Sequence, residues 1–590
     1  MKQMSRLILA GFILWWVSGV SAQTRPILAG RLEKAMEKAG KEETFPVLVY
    51  FADKGISTKE DMSSALQRRR LEMTPRALKR RAKTGREQMT FEDLPVCPDY
   101  IGLIQKTGAL LRHSLNWFNA ASFEMTGAQA KSCQKLSFVK KIDLLPARSK
   151  RALPELETTS PKAPEAGSPK AHLLNYGLSY AQLHLSTIDV CHDSGYSGSG
   201  VLVAMFDNGF RKGHQAFDSI RTAGRLVDEW DFVTNADTVT WDSHGTGTWS
   251  EAGGFVPGQL IGPAYKASWA IYHTEDMSQE MPVEEDHWAA ALQRADSIGA
   301  DVVSSSLGYR DFDSSQYSYD YQDLDGNTAI STLAARHAAA LGIVVCNAMA
   351  NSGPSLGSLA APADADSILS VGNVDSLGVI NPSSSRGPTY DGRPKPEVCA
   401  QGTLVWWASW DSTTASTTSY GRATGTSCAT PLVAGACALI LEAHPDWTPM
   451  QVREALMMTA SRSANPDSTT YGWGVINVWA AINYSAAGVL GQTAELPAST
   501  GMMLSCRPNP LRSEAVISFT LPYPGGARLS IYDITGRQVY QAPMINANPG
   551  VNHFFWSGRD QSGRLLGNGV YFCRVNAGDH AGTVKVTLIH

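Results

Sequence analysis

Across 590 residues the chain has no large excess of charge of either sign: 51 Lys and Arg face 55 Asp and Glu, for a formal net charge of −4. With a pI near 6.4, that balance points to no acidic partner such as a nucleic acid. The nine cysteines are an odd set, and no spacing among them resembles a zinc or redox motif. Beyond the opening segment no stretch reads as apolar enough to cross a bilayer, so no transmembrane helix is expected in the processed protein. Also missing is Gly-x-Ser-x-Gly with the order Ser, Asp, His, which would mark an esterase-type hydrolase. The acidic segment YQDLDGNTAIS (321–331) lacks the geometry of an EF-hand calcium loop. Its glycine stands fourth from Asp323 instead of sixth, and no bidentate glutamate follows at the proper distance. Asn327 or Thr328 is expected to cap a helix running through Leu341.

What is present divides the chain into zones. MKQMSRLILAGFILWWVSGVSAQ has Lys2 and Arg6, a short apolar run and a small-residue exit at Val20-Ser21-Ala22, and is read as a signal peptide over 1–22. Residues 23–150 are rich in Lys and Arg, with runs at QRRR (67–70) and RALKRRAKTGR (76–86). Aromatic interleaving is missing there and helical spacing gathers the charges, which predicts a solvated face and not a nucleic-acid site. FPVLVYF (46–52), LNWFNAASFEM (115–125) and KLSFVKKIDLL (135–145) read as strands with intervening helices, hence a small α+β module. The Pro-, Ser- and charge-rich stretch 147–170 is expected to be an exposed linker, with a boundary at 151–171 and cleavage within it; Lys150-Arg151 is the candidate site.

Residues 172–485 carry the chemistry. GRATGTSCATP (421–431) leads into LVAGACALILEAHP, a buried helix ending before Pro445, and so sets Ser427 at a helix N-terminus. Pro431 is expected in the first turn, where a missing N–H costs nothing. The structural alternative is a serine N-cap on a core helix. A serine hydroxyl becomes nucleophilic only when a base takes its proton, and an imidazole serves when a carboxylate fixes its tautomer. VLVAMFDNGF (201–210) supplies Asp207 at the carboxyl end of an apolar strand, with Asn208 and Gly209 as turn formers. SHGTGTWSEAGG (243–254) supplies His244, followed by small residues that suit a packed helix.

Strand-DNG, HGT and GTSCATP, in that order, resemble the subtilisin-like serine proteases, the subtilase family. ADVVSSSLGY (300–309) is similar to the family's strand beside the substrate. On that resemblance Ser306, Leu307 and Gly308 form one wall of the main specificity pocket and Ala348, Met349 and Ala350 the other. GIVVCNAMANSGP (342–354) is similar to the turn bearing the oxyanion-hole asparagine, here Asn351. SSSRGPTYDGRPKPEVCAQGT (383–403) and YGWGVINVWAAINY (471–484) follow the same pattern, so the likeness spans about 172–484. It implies an α/β fold, a subtilisin-like parallel sheet flanked by helices. It also implies a prodomain over 23–150 acting as folding aid and inhibitor, and hydrolysis of protein or peptide substrates through an acyl-enzyme. The chemistry then needs no cofactor; structural calcium at loops is compatible with the resemblance, without ligands that the sequence maps. Four positions depart from the pattern: Ala350 replaces glycine, Asn208 follows the aspartate, Cys428 follows the serine and Gln401 replaces proline. Ala350 brings a Cβ into the turn that aims Asn351. A catalytically silent binder on the same scaffold is the rival reading, opposed by the intact Asp207, His244 and Ser427.

After a small, polar linker (486–500), residues 501–590 alternate in short runs such as AVISFTLP and ARLSIYDITGRQV, which predicts an immunoglobulin-like β-sandwich. CRPNP (506–510), DITG (533–536), WSGRDQSGRLLGNGVYF (556–572) and the ending KVTLIH resemble the C-terminal sorting domain of the type IX secretion system in Bacteroidetes. That resemblance implies the type IX machinery as partner and a secreted or outer-membrane surface location. An adhesion module binding glycan or protein is the alternative. Pairing of Cys506 with Cys573 is left open, and cysteines in apolar runs are expected as buried thiols.

Overall fold

The computed structural model describes residues 27–38, 40–145, 172–239, 242–275, 284–310, 318–410, 416–484, 504–507, 511, 515–521, 525–534, 537–542, 545–547, 550–577 and 580–589. The signal segment 1–22, Lys150-Arg151 with the linker around them, the linker 486–500 and parts of the CRPNP and DITG motifs lie outside the described residues. The chain divides into two compact units, Met1–Ala486 and Ala487–His590.

The N-terminal module is a sheet of β1 (Ile27–Leu28), β2 (Thr44–Phe51), β3 (Leu110–Leu115), β4 (Ala120–Thr126) and β5 (Val139–Leu144), ordered β1-β5-β2-β4-β3. Its helices are α1 (Gly30–Lys38), α2 (Lys59–Glu72), α3 (Pro75–Ala82), α4 (Pro98–Gln105) and α5 (Gly127–Cys133). The single strand predicted over 115–125 is instead a hairpin. Asn116–Phe118 form a 3₁₀ turn and Asn119 takes φ +46, a left-handed conformation that asparagine tolerates. The solvated basic face is also corrected: Arg80 and Arg81 on α3 are 1% and 0% exposed. Both pair with Asp296, more than two hundred residues onward, a partner that local charge spacing cannot reveal.

The next part builds on α6 (Tyr180–His184), α7 (Ile188–Asp193), β6 (Leu202–Asp207), α8 (Asp218–Thr222), β7 (Leu226–Asp231) and α9 (Ser243–Gly253). A small hairpin, β8 (Phe255–Val256) with β9 (Leu260–Ile261), precedes β10 (Ser268–His273). Then come α10 (Glu285–Ile298), β11 (Val302–Ser305), α11 (Ile330–Ala340), β12 (Val344–Ala348), β13 (Leu369–Val374) and β14 (Val398–Gln401). Hairpin β15 (Val405–Ala408) and β16 (Tyr420–Ala423) leads to α12 (Thr426–Ala443), α13 (Pro449–Thr459) and α14 (Val478–Ile482). Seven strands form one parallel sheet in the order β14-β13-β12-β11-β6-β10-β7. Helices cover both faces, which is why the central strands are nearly continuous apolar runs. One face buries Trp249, Trp269 and most of α12; the other buries Trp288 and the alanines of α10 and α11.

Two further expectations change here. By length and composition α12 does meet the requirement for a membrane span, contrary to the sequence reading, yet 89% of it is buried inside the fold, as befits a core helix. The helix of segment 321–341 starts at Ile330 after Ala329, not at a capping Asn327 or Thr328. The buried Glu285 carboxylate takes over that role. It accepts the Ser331 N–H at 3.0 Å and the Tyr319 hydroxyl at 2.7 Å, while Asn327 turns to Asp325 and Arg336.

Strand β3 meets α10 through histidines. Arg112 donates to Asp286 at 3.0 Å and to His287 Nε2 at 2.9 Å, so His287 must donate through Nδ1 to His113 Nε2, 2.6 Å away. Each neutral ring thus accepts at one nitrogen, and a proton there would break the chain. Burial lowers the His113 pKa and drives that of His287 down to about 3 against the opposing pull of Asp286. A depressed histidine contributes stability that is full above the unfolded value of about 6.5 and is lost as pH falls toward the folded value. Denaturant unfolding should therefore show stability falling below pH 6.5 by up to about 1.4 kcal/mol per pH unit per histidine. His113→Gln with His287→Gln should flatten that slope; an unchanged slope would contradict the account.

Among its described residues the C-terminal unit holds strands and no helix. β17 (Leu504–Arg507), β18 (Ala515–Leu521) and β22 (Gly550–Trp556) form one sheet. β19 (Gly525–Asp533), β20 (Gln538–Gln541), β21 (Ile545–Ala547), β23 (Gly569–Ala577) and β24 (His580–Leu588) form another. Cys506 and Cys573 share its apolar core as free thiols, as are all nine cysteines of the chain.

Candidate active site

Strand β6 lies near the middle of the parallel sheet, between β11 and β10, and its last residue is Asp207. The fully buried Asp207 carboxylate has three partners: the Asn208 N–H at 2.9 Å, the Thr248 hydroxyl at 2.8 Å and His244 Nδ1 at 2.6 Å. Two of these fix its orientation, and the third orients the imidazole with Nε2 facing away. Helix α9 starts under the cap of Asp242, whose carboxylate accepts the His244 N–H at 2.7 Å. Its glycines permit close approach. A Cβ on Gly245 would stand 2.1 Å from the Gly209 carbonyl oxygen, and one on Gly247 would enter the Trp407 ring. Trp407 in turn meets His244 with the two rings nearly perpendicular and their centroids 6.0 Å apart.

Ser427 is the second residue of α12, buried, at the end where N–H groups lack carbonyl partners within the helix. Its hydroxyl donates to the Ser306 carbonyl at 3.3 Å, and the Ser306 hydroxyl donates to the Ser427 carbonyl at 2.8 Å. Pro431 explains why that carbonyl is open to a side chain. The expected first-turn position is corrected, because Pro431 lies in the second turn. There it withholds the N–H that would otherwise bond the carbonyl four residues back, and Ser306 takes the place.

Asn351 follows β12, and its Oδ1 accepts the Thr426 N–H at 2.9 Å and the Thr426 hydroxyl at 3.0 Å. The asparagine is thereby tied to the residue before Ser427, with its amide NH₂ turned away from Thr426. Ala350 has φ +82, in the left-handed region that favours glycine. The turn is held by Ser385, whose N–H bonds the Ala350 carbonyl at 3.0 Å and whose hydroxyl accepts the Ser352 N–H at 3.0 Å.

The two expected pocket walls adjoin. Asn347 on β12 donates to the Leu307 carbonyl at 3.1 Å and to the Ala348 carbonyl at 2.9 Å. Leu307 and Met349 are core side chains, so these walls offer a substrate main chain more than side chain. A Cβ on Gly308 would stand 3.2 Å from the Ala360 methyl and 3.9 Å from that of Ala350. Sequence reasoning missed Ala360 beside these expected walls, Thr248 at Asp207 and Asp242 at His244. Beneath the site, Glu251 on α9 is fully buried and its pKa is pushed well above the usual range by burial, with the buried Cys428 thiol as a neighbour. Among the described residues no group of three or more His, Cys, Asp or Glu is placed to hold a metal ion.

The chain matches the model of the subtilase family over residues 198–474 and that of the peptidase S8 propeptide domain of Bacteroidota over 46–160. Serine protease AprX of Bacillus subtilis is 28% identical over 324 residues, 48% of this chain and 66% of that protein. Subtilisin E of the same organism is 33% identical over 294 residues, 49% of this chain and 68% of the relative. The subtilisin of Bacillus pumilus is 32% identical over 294 residues, with 94% of its length covered. Among solved structures, fervidolysin from Fervidobacterium pennivorans, a keratinolytic enzyme related to subtilisin, superposes with a TM-score of 0.54 at 18% identity. That alignment covers 91% of this chain and 71% of fervidolysin, and speaks to the fold alone. This chain belongs to the subtilase family of serine endopeptidases and carries a propeptide domain ahead of its catalytic domain, as a zymogen does.

Proposed function

We propose that Asp207, His244 and Ser427 are the catalytic triad, with Asn351 and the Ser427 N–H as the oxyanion hole. The observation that carries the reading is the buried 2.6 Å contact between His244 Nδ1 and Asp207. With Nδ1–H donated to the carboxylate, Nε2 is left as the base. Ser427 Oγ attacks the peptide carbonyl carbon as Nε2 takes its proton, and the carbonyl oxygen becomes an oxyanion facing the Asn351 amide and the first turn of α12. Collapse breaks the C–N bond, and the imidazolium protonates the departing amine. Water then enters, loses a proton to Nε2, and releases the acid from the acyl-enzyme by the same steps. Every role is filled by side chains and main chain, so no cofactor enters a step. Ser306, Leu307 and Gly308 with Ala348, Met349 and Ala350 frame the pocket for the residue before the cut. The test is labelling of the processed enzyme with a fluorophosphonate probe followed by peptide mapping. Modification is expected at Ser427; a modified protein with Ser427 untouched would end the assignment.

The C-terminal unit we assign to sorting through the type IX machinery, after signal-peptide export, so that the enzyme works in the medium or at the outer-membrane surface on protein or peptide substrates. Its separate packing and the motifs between Cys506 and His590 support that reading. Deletion of 500–590 should strand the protein in the periplasm. Normal export with loss of surface or substrate binding would favour the adhesion alternative.

A further inference from the structure

Helix α3 of the propeptide lies along the rim of the seven-stranded sheet opposite the one that carries Asp207. Its neighbours fix that placement. Arg76 bonds the Gly200 carbonyl at 2.8 Å, just ahead of β6, and the Gly299 carbonyl at 3.0 Å, between α10 and β11. Arg80 bonds the Ala300 carbonyl at 2.8 Å and the Leu341 carbonyl at 3.2 Å, the latter ahead of β12. All these points are at amino ends of parallel strands, whereas Asp207 and Ser306 are at carboxyl ends. At about 3.3 Å per residue, strands of this length separate the two rims by roughly 15–20 Å.

The chemistry of the contact is specific. The final carbonyls of α10 and α11 have no partners within their helices and form the negative ends of the helix dipoles. Arginines of α3 cap them. Asp296, in the last turn of α10, pairs with both Arg80 and Arg81, and Arg81 also pairs with Asp93 of its own module at 2.7 Å. The side chains of Arg80, Arg81 and Asp296 are each at most 1% exposed, so water replaces none of these bonds. Backbones touch as well. At Gly299 (φ +89) a Cβ would lie 2.7 Å from the Ala77 nitrogen, and at Gly342 (φ +96) one would lie 2.9 Å from the Arg80 carbonyl oxygen. Both glycines leave room that α3 fills.

We propose that α3 is a second anchor of the propeptide, independent of the cleft, which keeps the severed propeptide bound after the linker is cut and which a substrate in the cleft does not displace. The receiving surface is the C-terminal ends of α10 and α11 with Asp296, and its occupant is this chain's own basic helix. Asp296 without its arginines, or Arg80 without Asp296, would be a buried unpaired charge, while Arg81 would keep Asp93, which makes the contact strongly dependent on Asp296 and Arg80. The inference rests on the propeptide assignment and not on the triad, because the test reads binding in a chain with Ser427→Ala. In that full chain a recognition site for an unrelated protease is inserted within 151–170 and cut, and release of the propeptide is followed by gel filtration and dilution kinetics. Asp296→Asn should raise the dissociation constant at least about 100-fold, equivalent to about 2.8 kcal/mol. Arg76→Ala, at the open edge of the contact and compatible with folding of both parts, should raise it about tenfold. A saturating peptide in the cleft should change the release rate less than twofold. Arg76→Ala within twofold of the parent, or a peptide that speeds release as much as Asp296→Asn does, would overturn the proposal.

Discussion

Ser427→Ala should remove peptide-bond hydrolysis, with a fall in kcat on the order of 10⁶, the size established for the triad of the related subtilisin. In the proposed triad this hydroxyl is the group that forms the acyl-enzyme, and an alanine methyl cannot replace it. The fold should survive. Ser427 loses a hydrogen bond to the Ser306 carbonyl, at a cost of about 1–3 kcal/mol if that carbonyl stays unpaired, while the Ser306 hydroxyl still bonds the main chain at 427. Asp207→Asn attacks the same machinery from the other end. An amide NH₂ facing Nδ1 favours the tautomer that carries its proton on Nε2, which cannot act as base, and kcat should fall about 10⁴-fold. In the proposed triad the three groups act as one unit, so the Asp207→Asn, Ser427→Ala double variant should be no slower than Ser427→Ala alone. Turnover of a peptide substrate under saturation is the measurement. A Ser427→Ala enzyme within tenfold of its parent would refute the nucleophile, and additive losses would refute the unit.

The residues proposed for this unit stand out in the sequence because each marks an end of a strong local signal. Asp207 closes an apolar strand, His244 opens a run of small residues, and Ser427 sits in the first turn of a long apolar helix. Such signals are written in consecutive residues. What the sequence hid depends on partners far along the chain. The basic run 76–86 has the spacing of a solvated face, yet Arg80 and Arg81 meet Asp296 only after the chain has crossed β6 and β10. Likewise, Asn327 and Thr328 looked like caps, while the acceptor that serves α11 is Glu285 on the preceding helix. Thr248 was invisible for a related reason: its position one turn beyond His244 gains meaning only once α9 lies against β6. Pro431 was misjudged by one turn, because helix boundaries blur by a residue or two in sequence while the role of a proline reverses between first and second turn. Ala350 shows the converse. Its departure from glycine was readable, and the left-handed backbone at φ +82 is the strain that the departure predicted.

Asn351→Ala should lower kcat by about 10²–10³, near 3 kcal/mol of transition-state stabilisation, and leave KM within a few-fold. The reason for the split is that the amide NH₂ meets the oxygen only when charge develops on it. Alanine also deletes the acceptor for the Thr426 N–H and hydroxyl, so some loss could be blamed on a loosened start of α12. Asn351→Asp separates the two effects. A carboxylate keeps the acceptor toward Thr426, and its charge suits a helix N-terminus, so folding should hold. Toward the substrate, however, it replaces a donor by a negative oxygen facing a developing oxyanion, and kcat should fall at least as far as in the alanine variant. Ala350→Gly serves as the companion. It removes a left-handed cost of about 1–2 kcal/mol and adds about 0.5–1 kcal/mol of chain entropy, so stability should hold or rise slightly with kcat within threefold. If Asn351→Asp keeps full kcat, the amide donates nothing to the oxyanion, and Asn351 acts only as a brace for the first turn of α12.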